Sequence, residues 1–183
     1  MNRTVVVRRV VVEVGSRLVS NAEPHASELH PKDRWFEDWS VGDVVVSEIT
    51  YLMEEKRMIE FANEFDPQDF HTDPEKAKHT TFGGLTASGW LTGSVMMRQI
   101  TEFLGEASMG AAGVDEVRWP LPVRVGDALT LTSTVLDMRA SESKPDRGIM
   151  RVLQELKNQR GEVAMSGISI MFLKTRFGIG GNG

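Results

Sequence analysis

The stretch from Ser88 to about Leu104 is the strongest constraint on how this chain folds. Trp90, Leu91, Val95, Met97, Ile100, Phe103 and Leu104 lie there with few charges between them. A helix that is apolar on most sides belongs inside a protein. After it the pattern changes to period two. Thr130, Thr132 and Thr134 alternate with Leu129, Leu131 and Val135 over residues 127–137. Residues 148–157 and 161–174 are two more β-rich runs, joined by the turn-prone Asn158-Gln159-Arg160-Gly161. A further strand is expected from Val114 onward. No helix–strand alternation follows Ser88, so a parallel doubly wound sheet does not fit. An antiparallel sheet packed around one long helix does, which makes the fold class α+β.

Before that helix, Val44 through Tyr51 is β-branched and follows a Gly42-Asp43 turn signal, so it is expected to be a strand. Residues 54–64 place Met58, Ile59, Ala62 and Phe65 at three- and four-residue intervals, the mark of a helix with one buried face. Asp73-Pro74-Glu75 writes another helix start, with an Asp cap, Pro in the first helical position and an acid in the first turn. That short helix is expected to run to about His79.

Residues 1–34 read differently. A Val-rich strip, Val5 to Val12, is broken by Arg8 and Arg9, and a polar stretch with Pro24 and Pro31 follows it. The strip sets Arg3, Arg8, Arg9 and Arg17 against Glu13, loosely like a transit peptide. An extra strand or an arm packed on the domain is the plainer account. The organisation expected is an arm over 1–34, one folded domain over 35–175 and a Gly-rich tail over 176–183. Gly178-Ile179-Gly180-Gly181-Asn182-Gly183 spells a dinucleotide fingerprint, but no helix follows to receive a phosphate.

Composition narrows the function classes. A chain of 183 residues, 40% apolar, suits one domain of ordinary core size. It has no Cys, which removes disulfides, thiol nucleophiles and thiolate zinc sites. Its 26 acidic against 21 basic side chains leave a net charge of −5, so no nucleic-acid surface is announced. No apolar run approaches the ~18 residues of a membrane helix. These features lead to the expectation of a cytoplasmic protein with neither nucleic acid nor membrane as partner.

The residues able to carry chemistry gather between the two short helices. Asp66 and His71 stand in a segment that Pro67 keeps from being continuous helix. A carboxylate and a neutral imidazole both accept protons at pH 7, so two such groups around one water can do general acid–base work. A turn-forming Asp with a satisfied His is the other reading, and the residues alone leave both open. A metal set of Asp66, Asp69, His71 and Asp73 is disfavoured, because Asp73 is already a helix cap and one His stands alone. Further on, Ser88 is a natural N-cap, and Gly89 carries no side chain to block its N–H. Backbone donors at a helix N-terminus favour negative charge, though Gly89 could equally serve close packing.

Taken together, Phe65-Asp66-xxx-Phe70-His71-Thr72-Asp73-Pro74-Glu75, then Phe82 and the Ala87-Ser88-Gly89 helix start, resemble the MaoC-like dehydratases, or (R)-specific enoyl-CoA hydratases. Trp119-Pro120-Leu121-Pro122-Val123-Arg124-Val125-Gly126-Asp127 is similar to the lead-in to a strand of that family, and Asn158 to Glu162 to its last hairpin. The resemblance covers roughly residues 35–175. Gln68 and Asp69 stand where the family often has Asn and Pro, and Ser88 where it often has His.

The resemblance implies the hot-dog fold, in which an antiparallel β-sheet wraps one long central α-helix, and it implies a homodimer or higher homo-oligomer. It implies reversible hydration of a trans-2-enoyl-CoA, or of the acyl carrier protein thioester, to an (R)-3-hydroxyacyl thioester. Asp66 and His71 would hold the water, and the Gly89 N–H would hold the thioester carbonyl. Gln68, Ser88 and Trp90 would contact the substrate. No cofactor is implied beyond coenzyme A as part of the substrate, and no metal. Arg98, Arg118 and Arg124 are candidates for its phosphates, or ordinary surface cations. A hot-dog thioesterase and a non-catalytic acyl-thioester-binding protein are the competing readings.

Overall fold

The computed structural model describes residues 29–176, so the Val-rich strip, His25 and the Gly-rich tail lie outside the described residues. Two 3-10 turns, Pro31–Asp33 and Phe36–Asp38, lead into β1 (Val44–Val46) and β2 (Tyr51–Leu52). Helices α1 (Glu55–Phe65), α2 (Asp69–Thr72), α3 (Pro74–Ala77) and α4 (Gly89–Ile100) follow. Four long strands complete the body: β3 (Ser108–Arg118), β4 (Ala128–Ala140), β5 (Arg147–Lys157) and β6 (Val163–Lys174). The sheet is antiparallel throughout, in the order β1-β4-β5-β6-β3, with β2 also pairing with β4. Helix α4 lies on it through Leu91, Thr92, Val95, Met96, Gln99 and Ile100, all buried. The α+β hot-dog arrangement expected from the periodicity and the family resemblance is therefore present.

The period-two runs bury alternate residues as such runs should. Along β5, Gly148, Met150, Val152, Gln154 and Leu156 are buried and their neighbours are half-exposed. The main core joins Met53, Met58, Leu91, Val95, Leu129, Leu131 and Leu156. A second cluster under Val135, Met150, Val152, Met171 and Leu173 is covered by Trp35, Phe36 and Trp39. The packed body starts before Trp35. Pro31 and Arg34 are buried, Arg34 pairs with Asp43 at 3.6 Å, and the Lys32 carbonyl lies 1.7 Å from where a Cβ on Gly105 would stand.

Several elements differ from expectation for local reasons. Helix α4 stops at Ile100 instead of Leu104, and it is buried on one face only. Trp90 is 64% exposed and Met97 48%. An apolar sequence thus marks an outward stripe as well as a core face. The run 44–51 divides into β1 and β2, and at the break the Ser47 hydroxyl accepts the Ile49 N–H and donates to the Glu102 carboxylate. Strand β3 begins at Ser108 and carries register shifts against β6. One helical turn, α2, occupies the segment expected to be loop, and α3 ends at Ala77, short of His79.

The gap between β1 and β2 leaves the Leu131 N–H of β4 without a strand partner, and Gln99 of α4 takes that place. Its Nε2 donates to the Leu129 carbonyl at 2.9 Å, and its Oε1 accepts from the Leu131 N–H at 2.6 Å. The side-chain amide acts as a missing strand residue and pins the helix to the sheet. Gln99→Leu keeps the volume and removes both bonds. A buried group left unpaired costs about 1–3 kcal/mol, so with the Leu131 N–H orphaned urea unfolding is expected to show a loss of about 1–3 kcal/mol. A loss below about 1 kcal/mol would refute the bridging role.

Candidate active site

Asp66 closes α1, its N–H bonding the Ala62 carbonyl at 2.9 Å. Pro67 then breaks the helix, and α2 turns the chain so that its third residue, His71, faces back toward Asp66. His71 Nε2 lies 3.3 Å from Asp66 Oδ2, and His71 is 7% exposed. The other ring nitrogen, Nδ1, is 2.7 Å from the Thr86 carbonyl. A carbonyl oxygen only accepts, so Nδ1 carries a proton, and Nε2 is the ring nitrogen left to face Asp66. Phe70 meets the imidazole edge-on at 4.4 Å, and Phe82 backs Phe70 at 5.0 Å.

The Thr86 carbonyl is itself held. The Thr86 N–H donates to the Phe70 carbonyl at 3.0 Å. Gly83 and Gly84 take φ of +63° and +156°, which lets the preceding carbonyls converge. The Arg124 guanidinium gathers them, donating to the carbonyls of Phe82, Gly84 at 2.7 Å and Leu85 at 3.1 Å. Arg124 is thus a clamp on the loop behind His71, and not a cation free for phosphate.

Asp66 receives three neighbours. Gln68 Nε2 donates to Oδ1 at 2.7 Å, Ser88 Oγ donates to Oδ2 at 2.7 Å, and His71 stands beyond. Burial pushes its carboxyl up. The bonds from Gln68 and Ser88 and the charge of His71 together push it further down, so it sits below the usual carboxylate value. Asp66 is ionised at neutral pH, with His71 Nε2 3.3 Å from its Oδ2. Such a couple can take a proton from one water and return it nearby.

Ser88 joins this couple to α4. Its hydroxyl accepts the Trp90 N–H at 3.2 Å while donating to Asp66, and the residue is fully buried. The Ser88 hydroxyl, expected at a substrate contact, is thus engaged within the fold by Asp66 and Trp90. Gly89, the next residue, opens α4, and its N–H has no hydrogen-bond partner among the described residues. Gln68 binds Asp66, while the exposed Trp90 meets Trp119 edge-on at 5.7 Å.

Other candidates lie apart. Asp69 pairs with Lys76 at 3.1 Å, and Asp73 caps α3 through the Glu75 and Lys76 N–H groups. Arg98 bonds Thr101, Arg118 bonds the Val117 carbonyl, and His79 is exposed. Sequence reasoning gave no role to Thr86 or Trp119, and considered Arg124 only for a phosphate or as a surface cation. Only the Gly83-Gly84 pair hinted at a loop needing a clamp.

Comparison with known proteins gives a consistent family. The MaoC-like domain model matches residues 38–156. A MaoC-like dehydratase from Rhodospirillum rubrum is 40% identical, with a TM-score of 0.72 over 78% of this chain and 98% of that one. An (R)-hydratase from A. caviae involved in PHA biosynthesis is 26% identical, with a TM-score of 0.61 over 74% and 97%. An uncharacterised Bacillus subtilis protein, YdeM, is 29% identical over 126 residues, 68% of this chain and 87% of its own. The carboxylate–imidazole couple at the start of α4 thus sits within the matched span, and this chain belongs to the MaoC-like domain family.

Proposed function

We propose that this protein adds water reversibly across the α,β double bond of a trans-2-enoyl thioester, giving an (R)-3-hydroxyacyl thioester. The observation that carries this reading is the 3.3 Å approach of His71 Nε2 to Asp66 Oδ2, with the tautomer set by Thr86. Asp66 and His71 hold one water at their shared edge. As its oxygen bonds Cβ, Nε2 takes the proton, and the imidazolium is stabilised by the adjacent carboxylate. Negative charge moves to the thioester oxygen, where the Gly89 N–H receives it. The enolate then takes the same proton at Cα. Water is thus divided as hydroxyl at Cβ and hydrogen at Cα, on one face.

The substrate is a coenzyme A or acyl carrier protein thioester, and no cofactor takes part in the steps above. The edge strand β3, with Gly110 to Glu116 all exposed, supports pairing with a second copy. A thioesterase would instead cleave the thioester. Thiol release from saturated butyryl-CoA would mark a thioesterase, and the hydration reading expects none.

Proton transfer typically contributes about 10²–10⁴-fold. Asp66→Asn and His71→Gln are each expected to slow crotonyl-CoA hydration by a factor in that range, with circular dichroism unchanged. Wild-type turnover in either variant would remove the role given to that residue.

Acid should act on stability through Asp66. Its depressed carboxyl stabilises the folded state fully above the ordinary value of 3.8, and that contribution is lost as pH falls below it. The stability difference between wild type and Asp66→Asn, followed by urea unfolding, is expected to shrink over that acid range. A difference that stays constant there would contradict the depressed carboxyl.

A further inference from the structure

Trp119 stands beside the site without a task in the steps above. It follows β3 on the way to β4 and is 42% exposed. Its indole Nε1 donates to the Gly89 carbonyl at 3.1 Å. A Cβ on Gly89 would stand 3.0 Å from Trp119 Cε2 and 3.1 Å from Nε1, so the ring occupies the side where any other residue would carry its side chain. Trp90 closes on the same indole at 77°. The one polar atom of the indole is thus used on the residue whose N–H is unbonded among the described residues.

The physical need is plain. A donor aimed at developing charge works because it is already oriented when the charge appears. The first turn of a helix is where order is weakest, and glycine has more backbone freedom than any other residue. A glycine opening a helix is therefore a poor fixed donor unless something holds it. Ser88 holds it from the N-terminal side through Asp66, and Trp119 holds the following carbonyl and the Cα.

We propose that Trp119 is a positioning residue, holding Gly89 so that its N–H stays aimed at the carbonyl oxygen of an acyl thioester. This rests on the thioester reading given above. Trp119 lies outside both apolar clusters, so its variants are expected to fold.

The test combines turnover with a vibrational readout. Hydration of crotonyl-CoA is measured for wild type, Trp119→Phe and Trp119→Leu, and the carbonyl stretch of bound, isotope-labelled butyryl-CoA is recorded by infrared difference spectroscopy. Removing an oxyanion donor outright costs about 10²–10³-fold in kcat. Trp119→Leu, which only loosens the donor, is expected to lose about tenfold or more within that limit, with KM little changed. In wild type the bound carbonyl shifts to lower frequency, in Trp119→Leu it returns toward the free value, and Trp119→Phe falls between. A fall in kcat with an unchanged carbonyl frequency overturns the proposal, since it traces to packing. Unchanged kcat and frequency overturn it too, as does a wild-type carbonyl with no shift. A wild type that hydrates nothing, yet shifts the carbonyl through Trp119, removes the hydration reading and keeps this one.

Discussion

One hydroxyl, that of Ser88, ties the chemistry of this protein to its architecture. It accepts the Trp90 N–H and so caps the central helix, and it donates to Asp66 at 2.7 Å. The first bond belongs to the hydrophobic core, because α4 is fixed by its buried face on the sheet. The second reaches out of that core to a carboxylate at the end of another helix. A fully buried hydroxyl left unpaired is costly, so neither bond is readily given up. The result is that the position of Asp66 is set by the sheet, two elements away.

A second chain of contacts sets His71. Its Nδ1 is bound to the Thr86 carbonyl, Thr86 is paired with Phe70, and Arg124 gathers the carbonyls just before. Both chains converge on the segment 82–89. Gly83 and Gly84 are needed there because their positive φ values turn the carbonyls together. The guanidinium then offsets the crowding of like dipoles. Arg124 therefore does electrostatic work on the backbone, a role beyond the phosphate ligand or ordinary surface cation considered from the sequence.

Much of this was legible in the residues, and the parts that were not share a cause. The central helix, the β-rich second half and the Asp73 cap follow from period and local chemistry, which each residue carries with it. The Asp66–His71 pair was legible as a spacing, but its geometry depends on α2, a single turn too short to show a period. Ser88 was readable as a cap, yet its tie to Asp66 is a contact between residues far apart in the chain. Trp119 and Arg124 act through backbone carbonyls, and a carbonyl has no letter in a sequence. The outward stripe of α4, with Trp90 and Met97, was misread as core because apolar side chains look alike whether they face in or out.

The two polar residues at opposite ends of α4 bear on one quantity, the rotation of the helix about its axis. Ser88 is fixed at the N-terminal end by Asp66, and Gln99 is fixed toward the C-terminal end by the carbonyl of Leu129 and the N–H of Leu131. At ~1.5 Å per residue they lie about 16 Å apart along the axis. A slip of one residue turns a helix by about 100°, which would break both sets of bonds and carry Leu91, Val95 and Met96 out of the core. Apolar packing alone tolerates small rotations, since one methyl can replace another. Hydrogen bonds to fixed backbone groups do not. The aim of the Gly89 N–H is therefore set by the hold of Gln99 on the sheet as much as by its own neighbours. A buried amide far from the couple belongs to the same geometric device as the serine that touches it.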